Sequence, residues 1–176
     1  MTRQPLHQGQ RADPADLLAA PDLASLEARL AGMFPDVAQM SRDEFTARSS
    51  SGEKFVLLDV RRAAEHRVSH ISGSRRVAPA SRPQSVLRRL FPCREPSRII
   101  LYCTVGFRSS ALARRLRASG VDGCANLTGG IFGWVNDGRA VFNDQGETSG
   151  VHPYAADWQK FLCAPAPDSR SMITTA

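Results

Sequence analysis

The sequence has almost no lysine, few aromatic residues and no long apolar run, and each shortage excludes something. Two of the 23 basic residues are lysines, Lys54 and Lys160, so arginine supplies the other 21. Aromatic residues make up 7% of the chain. They do not interleave with the arginines as base-stacking platforms would, and no nucleic-acid-binding motif is present, so nucleic acid is not an expected partner. No apolar stretch approaches the ~18–20 residues that a membrane helix needs. The opening residues, MTRQPLHQGQRADPAD, carry charge with no apolar stretch behind it, unlike a secretory signal. The expectations are therefore no membrane partner and a cytoplasmic location. The four cysteines, Cys93, Cys103, Cys124 and Cys163, form no CxxC pair and none stands with a histidine at metal-ligand spacing. That argues against a structural metal site or a disulfide framework and fits a reducing compartment.

What is there is an ordinary globular composition. The chain has 176 residues, 42% hydrophobic and 23% charged, enough to bury a core without staples and to form one domain. The net charge of +6 is unevenly placed. Between Arg61 and Arg117, 14 arginines stand against two acids, Glu65 and Glu95, giving +12 over about a third of the chain. Such a segment suggests an anionic partner, a small anion or an acidic protein, or simply solvated helix faces.

The apolar pattern runs at helical spacing from Pro14 to Met33 through Leu17, Leu18, Leu23, Leu26 and Leu30, with a fresh start at Pro21 and Asp22. Ser41, with Glu44 three residues on, marks the start of a short helix over 42–48, and Ser49 to Gly52 reads as a polar turn. Strand and helix then alternate. Phe55 to Val60 is a near-continuous apolar run, as expected of a parallel strand covered on both faces. Residues 61–67 are helical or turn-like, 79–83 a loop and 85–91 a basic helix. Arg98 to Tyr102 is a second strand, followed by a helix over 108–119 with Gly120 at its end. Cys124 to Leu127 is a third strand, and Gly129 and Gly130 turn the chain into a helix over 131–136. This alternation predicts an α/β domain with a mostly parallel sheet. A further amphipathic stretch, Tyr154 to Leu162, either packs back on the domain or presents a docking surface.

The chemistry concentrates in residues 98–116. A strand ends at Tyr102, Cys103 follows, and Thr104, Val105, Gly106 and Phe107 lead to a helix beginning near Arg108 and Ser109. Three effects favour thiolate at Cys103: the positive end of the helix dipole, loop N–H groups that curl around an anion with Gly106 allowing the turn, and the charge of Arg108. The Cys103 pKa is therefore expected below the ordinary ~8.5. Ligands of open α/β sheets also bind at this end of the strands.

This loop resembles the active-site loop of rhodanese-family sulfurtransferases, and other blocks agree in order. Leu57 to Arg61 (Leu-Leu-Asp-Val-Arg), then Glu65 and His66, then His70, Ile71 and Gly73, is similar to the family's first signature. Leu127 to Ile131 (Leu-Thr-Gly-Gly-Ile) with Gly133 and Trp134 is similar to its Leu-x-Gly-Gly-Ile-x-x-Trp block, and Gly138 to Val141 to its ending. Ser69, Ser72 and Ser74 depart from the usual Gly, Pro and Ala, and Arg62, Ala63 and Ala64 stand where an acid is expected. The resemblance spans residues 38–143. It implies a rhodanese-like α/β fold with a five-stranded sheet flanked by helices, and divides the chain into an N-terminal extension (1–37), a catalytic domain (38–145) and a C-terminal amphipathic segment and tail (146–176).

The resemblance also implies a function: sulfane sulfur passes from an anionic donor, thiosulfate or glutathione persulfide, to Cys103 and on to a thiol or cyanide, without metal or organic cofactor. Residues 104–109 cradle the persulfide, and Arg108 holds the donor's anionic group. Two alternatives stay open. One is a catalytically idle binding module. The other is a cysteine phosphatase or arsenate reductase, whose Cys-x5-Arg loop puts arginine six positions after the cysteine. Here Arg108 is at plus five and Ser109 at plus six. Of the supporting residues, Asp59 either orients the loop or caps local N–H groups, and Arg61 is expected to pair with Glu65 at i,i+4. His70 reads as a buried hydrogen-bonding residue, Trp134 as core packing, and Cys124 as buried and inert unless it lies close enough to resolve a persulfide. Cys93 and Cys163 have no chemical context.

Overall fold

A computed structural model of the protein describes residues 14–90 and 98–163. Cys93, and the polar ends on either side of 14–163, lie outside them. Two helices open the chain, α1 (Pro14–Leu18) and α2 (Leu23–Met33), separated where the sequence places Pro21 and Asp22. Asp22 caps α2 by accepting from the Ser25 N–H at 2.7 Å. Strand β1 (Ala38–Met40) leads into α3 (Arg42–Ser50), capped by Ser41, whose Oγ accepts from the Glu44 N–H. Ser49 and Ser50 complete this helix instead of starting the turn.

Strand and helix then alternate through β2 (Val56–Asp59), α4 (Ala63–Val68), β3 (Arg75–Arg76), α5 (Pro83–Leu90), β4 (Ile99–Tyr102), α6 (Phe107–Arg117), β5 (Cys124–Leu127) and α7 (Gly130–Asn136). Helix α5 starts two residues before its expected place because Pro83 occupies a first-turn position that needs no N–H. The five strands form one sheet in the order β1-β5-β4-β2-β3, every pair parallel. All four residues of β4 and all four of β5 are buried, which is why these strands read as continuous apolar runs. A separate antiparallel hairpin, β6 (Val141–Asn143) and β7 (Gly146–Thr148), follows α7. It is tied to the body by backbone pairing of His70 with Phe142.

Both flanks join the core. Leu17, Leu26, Leu30 and Phe34 come from the N-terminal side, and Trp158 and Phe161 from a 3-10 helix over Ala156–Phe161. The tail stretch therefore packs back on the domain. No helix among the described residues is long and apolar enough to cross a membrane.

Candidate active site

The carboxyl ends of β4 and β5 build the site. Tyr102 ends β4 and Cys103 follows, 1% exposed. The chain turns at Gly106, whose φ of +119° favours glycine, and α6 begins at once. This turn aims the Gly106 N–H at the Cys103 sulfur, 3.2 Å away. A chain of buried polar contacts holds α6 in place. The Ser109 hydroxyl lies 3.1 Å from the Gly106 carbonyl oxygen and 2.6 Å from Asn126 Oδ1, and Asn126 Nδ2 donates to Gln39 Oε1 at 2.8 Å. Strands β1 and β5 thus fix the first turn of α6.

The double glycine before α7 serves the same loop. The Ile131 and Phe132 N–H groups donate to the carbonyls of Cys103 and Thr104 at 2.9 and 3.1 Å. This contact requires a residue without a Cβ at 130. One added there would lie 2.5 Å from the Cys103 oxygen, and the φ of Gly130 is +55°. With these carbonyls drawn toward α7, the Gly106 N–H is left to face the sulfur.

Electrostatics then act on a buried thiol. Burial pushes the Cys103 pKa up, but the Arg108 guanidinium, the Ser109 hydroxyl and N–H, and the Gly106 N–H outweigh it, and the net shift is downward. Arg108 itself is not a free cation. Its two terminal nitrogens donate to Glu65 at 2.8 and 2.6 Å, and one also reaches Thr104 Oγ1 at 2.7 Å. Glu65 accepts further from the Arg62 N–H and the Thr104 hydroxyl. Against the upward push of burial, Arg108 foremost among these partners holds the Glu65 carboxyl at about 2. Arg108 thus reaches the pocket with its charge shared with Glu65.

The expected Arg61–Glu65 pair does not form. Arg61 precedes α4, so i,i+4 helical spacing does not apply to it. It is fully buried and donates to both oxygens of Asp59 and to the Ser69 carbonyl. Asp59 also accepts from the Arg61 N–H and, at 2.9 Å, from the Tyr102 hydroxyl. Neither residue lines the site. Both meet Tyr102, the residue before Cys103.

His70 stacks on His66 with ring centroids 4.2 Å apart, its Nδ1 lies 3.2 Å from the His66 carbonyl, and it does not line the pocket. Trp134 is half-buried, packs on Phe45 and donates to the Ala140 carbonyl. Cys124 is buried and its thiol is pushed up to about 11 by burial. It pairs with Ile99, four residues before Cys103, which places it about 13 Å from Cys103 along the strand, beyond disulfide reach. Cys163 is exposed.

Cys103, Thr104, Val105, Phe107 and Arg108 line one pocket of about 140 Å³, whereas the expected Gly106 and Ser109 do not line it. Three further lining residues were not among the candidates: Leu17 of α1, and Tyr154 and Trp158 of the tail. The Tyr154 ring sits 4.7 Å from the Arg108 guanidinium and 5.8 Å from the Trp158 ring. The two aromatics are visible in the sequence at helical spacing, but nothing local shows that they meet a loop some fifty residues earlier. The arginine-rich segment is also less bare than its count: Arg98 pairs with Glu53, Arg114 with Asp36, and Arg115 donates to the carbonyls of Pro79 and Ser81. Among the described residues, no group of three or more His, Cys, Asp or Glu could hold a metal ion.

The chain is similar to known proteins. The chain is 30% identical over 88 residues to the "Probable adenylyltransferase/sulfurtransferase MoeZ" of Mycobacterium tuberculosis, a match covering 48% of this chain and 21% of that protein. It thus spans about a fifth of the length of that relative. In structure it is similar to a thiosulfate sulfurtransferase from Pseudomonas aeruginosa (TM-score 0.58, 23% identity, covering 77% of this chain and 25% of that one). It is also similar to the BH2092 protein from Bacillus halodurans (TM-score 0.55, 21% identity, covering 68% and 87%). At these identities the two structures bear on the fold alone. Residues 41–137 match the family described as "Rhodanese-like domain", and the chain belongs to that family.

Proposed function

We propose that the protein is a sulfurtransferase that carries sulfur as a persulfide on Cys103. The observation that supports this reading is a buried thiol whose pKa is nonetheless lowered, with the Gly106 N–H 3.2 Å from its sulfur at the start of α6. A group so placed is a nucleophile with an anion cradle around it. The Cys103 thiolate attacks the outer sulfur of a donor, thiosulfate or a persulfide such as glutathione persulfide. The S–S bond forms as the donor's own bond to that sulfur breaks, and sulfite or a thiolate leaves with the electron pair. The Cys103 persulfide anion rests against the loop N–H groups. A thiol in the cell, or cyanide in an assay, then takes the outer sulfur and restores the thiolate. Neither a metal nor an organic cofactor enters these steps. The sulfurtransferase name borne by the relative from Mycobacterium tuberculosis agrees with this chemistry.

In this reading, residues 38–145 are the catalytic unit, and the flanks 1–37 and 146–176 contribute Leu17, Tyr154 and Trp158 to its mouth. The setting is a reducing, cytoplasmic one in which a low-pKa thiol stays available. Phosphate chemistry is disfavoured because Arg108, one position short of the phosphatase spacing, already commits both terminal nitrogens to Glu65, the fork that would clamp a phosphate.

The test is thiocyanate formation from thiosulfate or glutathione persulfide with cyanide. Wild type turns over and Cys103→Ser does not, and neither hydrolyses an aryl phosphate. Thiocyanate formation absent from both would leave an idle binding module, and phosphate-ester turnover would replace sulfur transfer with phosphatase chemistry.

A further inference from the structure

The mouth over Cys103 is completed by segments outside the matched family region, and it is largely apolar. Leu17 comes from α1 and Tyr154 and Trp158 from the tail, meeting Val105 and Phe107 of the loop. Of the residues lining the pocket only Arg108 is charged, and Glu65 neutralises it with a two-pronged ion pair at 2.8 and 2.6 Å. The Tyr154 ring covers that guanidinium at 4.7 Å. The reacting sulfur of a donor must reach the Cys103 sulfur, where the Gly106 N–H and the start of α6 accept negative charge. The rest of the donor, its leaving group, then points into the apolar mouth. A charged leaving group is desolvated there without a free counter-ion. An apolar group on the leaving sulfur instead displaces water from hydrophobic walls. The volume of about 140 Å³ is close to that of an apolar cavity of ~150 Å³ known to take up benzene, so one six-membered ring fits.

Resting on the persulfide reading, we propose that this site selects a monoanionic donor whose leaving group carries a small apolar or aromatic substituent, in preference to the thiosulfate dianion. With an aryl thiosulfonate as probe, the Cys103 thiolate attacks the terminal sulfur, the Cys103 persulfide forms, and the arenesulfinate leaves with the electron pair of the broken S–S bond. Charge balances: two monoanions give two monoanions. Thiosulfate in the same step expels the sulfite dianion into the mouth.

The experiment measures the rate of Cys103 persulfide formation with benzenethiosulfonate and with thiosulfate. Each rate is divided by that donor's rate with free cysteine at the same pH, which removes intrinsic reactivity. The wild type prefers benzenethiosulfonate by roughly ten-fold or more after this correction, the scale expected from burying one ring. Trp158→Ala and Tyr154→Ala lower the preference. Tyr154 is 39% exposed, so its variant folds even if the Trp158 one does not. Glu65→Gln uncovers the charge of Arg108 and shifts the ratio toward thiosulfate. A corrected ratio at or below one in the wild type, or one unmoved by Tyr154→Ala, overturns the proposal.

A binding arm separates this failure from failure of the persulfide reading. In Cys103→Ser, benzenesulfinate alters the fluorescence of Trp158, with Trp134→Phe removing the other tryptophan, and sulfite does not. Sulfinate binding without persulfide from any donor supports the apolar mouth and removes sulfur transfer. Persulfide from both donors without corrected preference does the reverse.

Discussion

Arg108 grips Glu65 with both terminal nitrogens, at 2.8 and 2.6 Å, across 43 residues of sequence. The pair ties the first turn of α6 to α4 and sets how much positive charge reaches Cys103. Glu65 is 3% and Arg108 16% exposed at the side chain, so removing one partner strands a charge away from water.

Glu65→Ala is therefore expected to cost about 3 kcal/mol of stability at neutral pH, the range for breaking a buried pair from one side. For a domain of this size that is a fall of roughly 6–12 °C in Tm. The Glu65 carboxyl sits at about 2 in the folded protein, below its unfolded value of ~4.3. Its contribution is thus fully present above about pH 4.5 and is lost as pH falls toward 2. The Tm gap between wild type and variant, measured from pH 7 down to pH 2.5, narrows along that range. A gap that stays constant would detach the stability from this ion pair.

Gly130→Ala places a Cβ 2.5 Å from the Cys103 carbonyl oxygen and 2.7 Å from that of Thr104. Both contacts are backbone, so nothing flexible can yield, and the positive φ adds strain. The variant loses sulfur transfer by at least about a hundred-fold, the scale of a ~1 Å misplacement in an active site, and loses stability with it. Gly138→Ala, at an open turn with nothing near its Cβ, lacks this steric effect on the loop. Equal transfer by the two would contradict the role assigned to α7.

The pH dependence of Cys103 follows from its neighbours. A lowered thiol pKa means that alkylation by iodoacetamide reaches its plateau at lower pH than for an ordinary cysteine. Ser109→Ala removes a stabilising hydroxyl from the thiolate and moves the half-maximal pH upward, whereas Asn126→Ala frees the Ser109 proton from its competing acceptor and moves it downward. A midpoint unchanged in both variants would exclude Ser109 as a tuning group.

Cys124 stands about 13 Å along the sheet from Cys103 by strand register. Cys124→Ala keeps sulfur transfer within about two-fold, and oxidation of the wild type produces no 103–124 disulfide by peptide mass. Detection of that disulfide would require the strands to slip.

Much of this was legible in the residues, and the remainder was not for physical reasons. Strands β2, β4 and β5 are buried on both faces and announce themselves as apolar runs. Strands β1 and β3 are Ala-Gln-Met and Arg-Arg. They are strands only because they pair at the sheet edges, which no local pattern records. The Cys103–Gly106–α6 turn was readable because a left-handed residue and a helix start are local. The partner of Glu65 was not: i,i+4 spacing pointed to Arg61, while the pairing was decided by the approach of α6 to α4. The mouth escaped for the same reason, since Leu17, Tyr154 and Trp158 reach Cys103 only through tertiary packing.

The most direct measurement is the intact mass of wild type and Cys103→Ser after brief incubation with thiosulfate, glutathione persulfide or benzenethiosulfonate. The account predicts a gain of one sulfur, about 32 Da, in the wild type alone, reversed by cyanide. No adduct with any of the three donors, or the same adduct on Cys103→Ser, would contradict it.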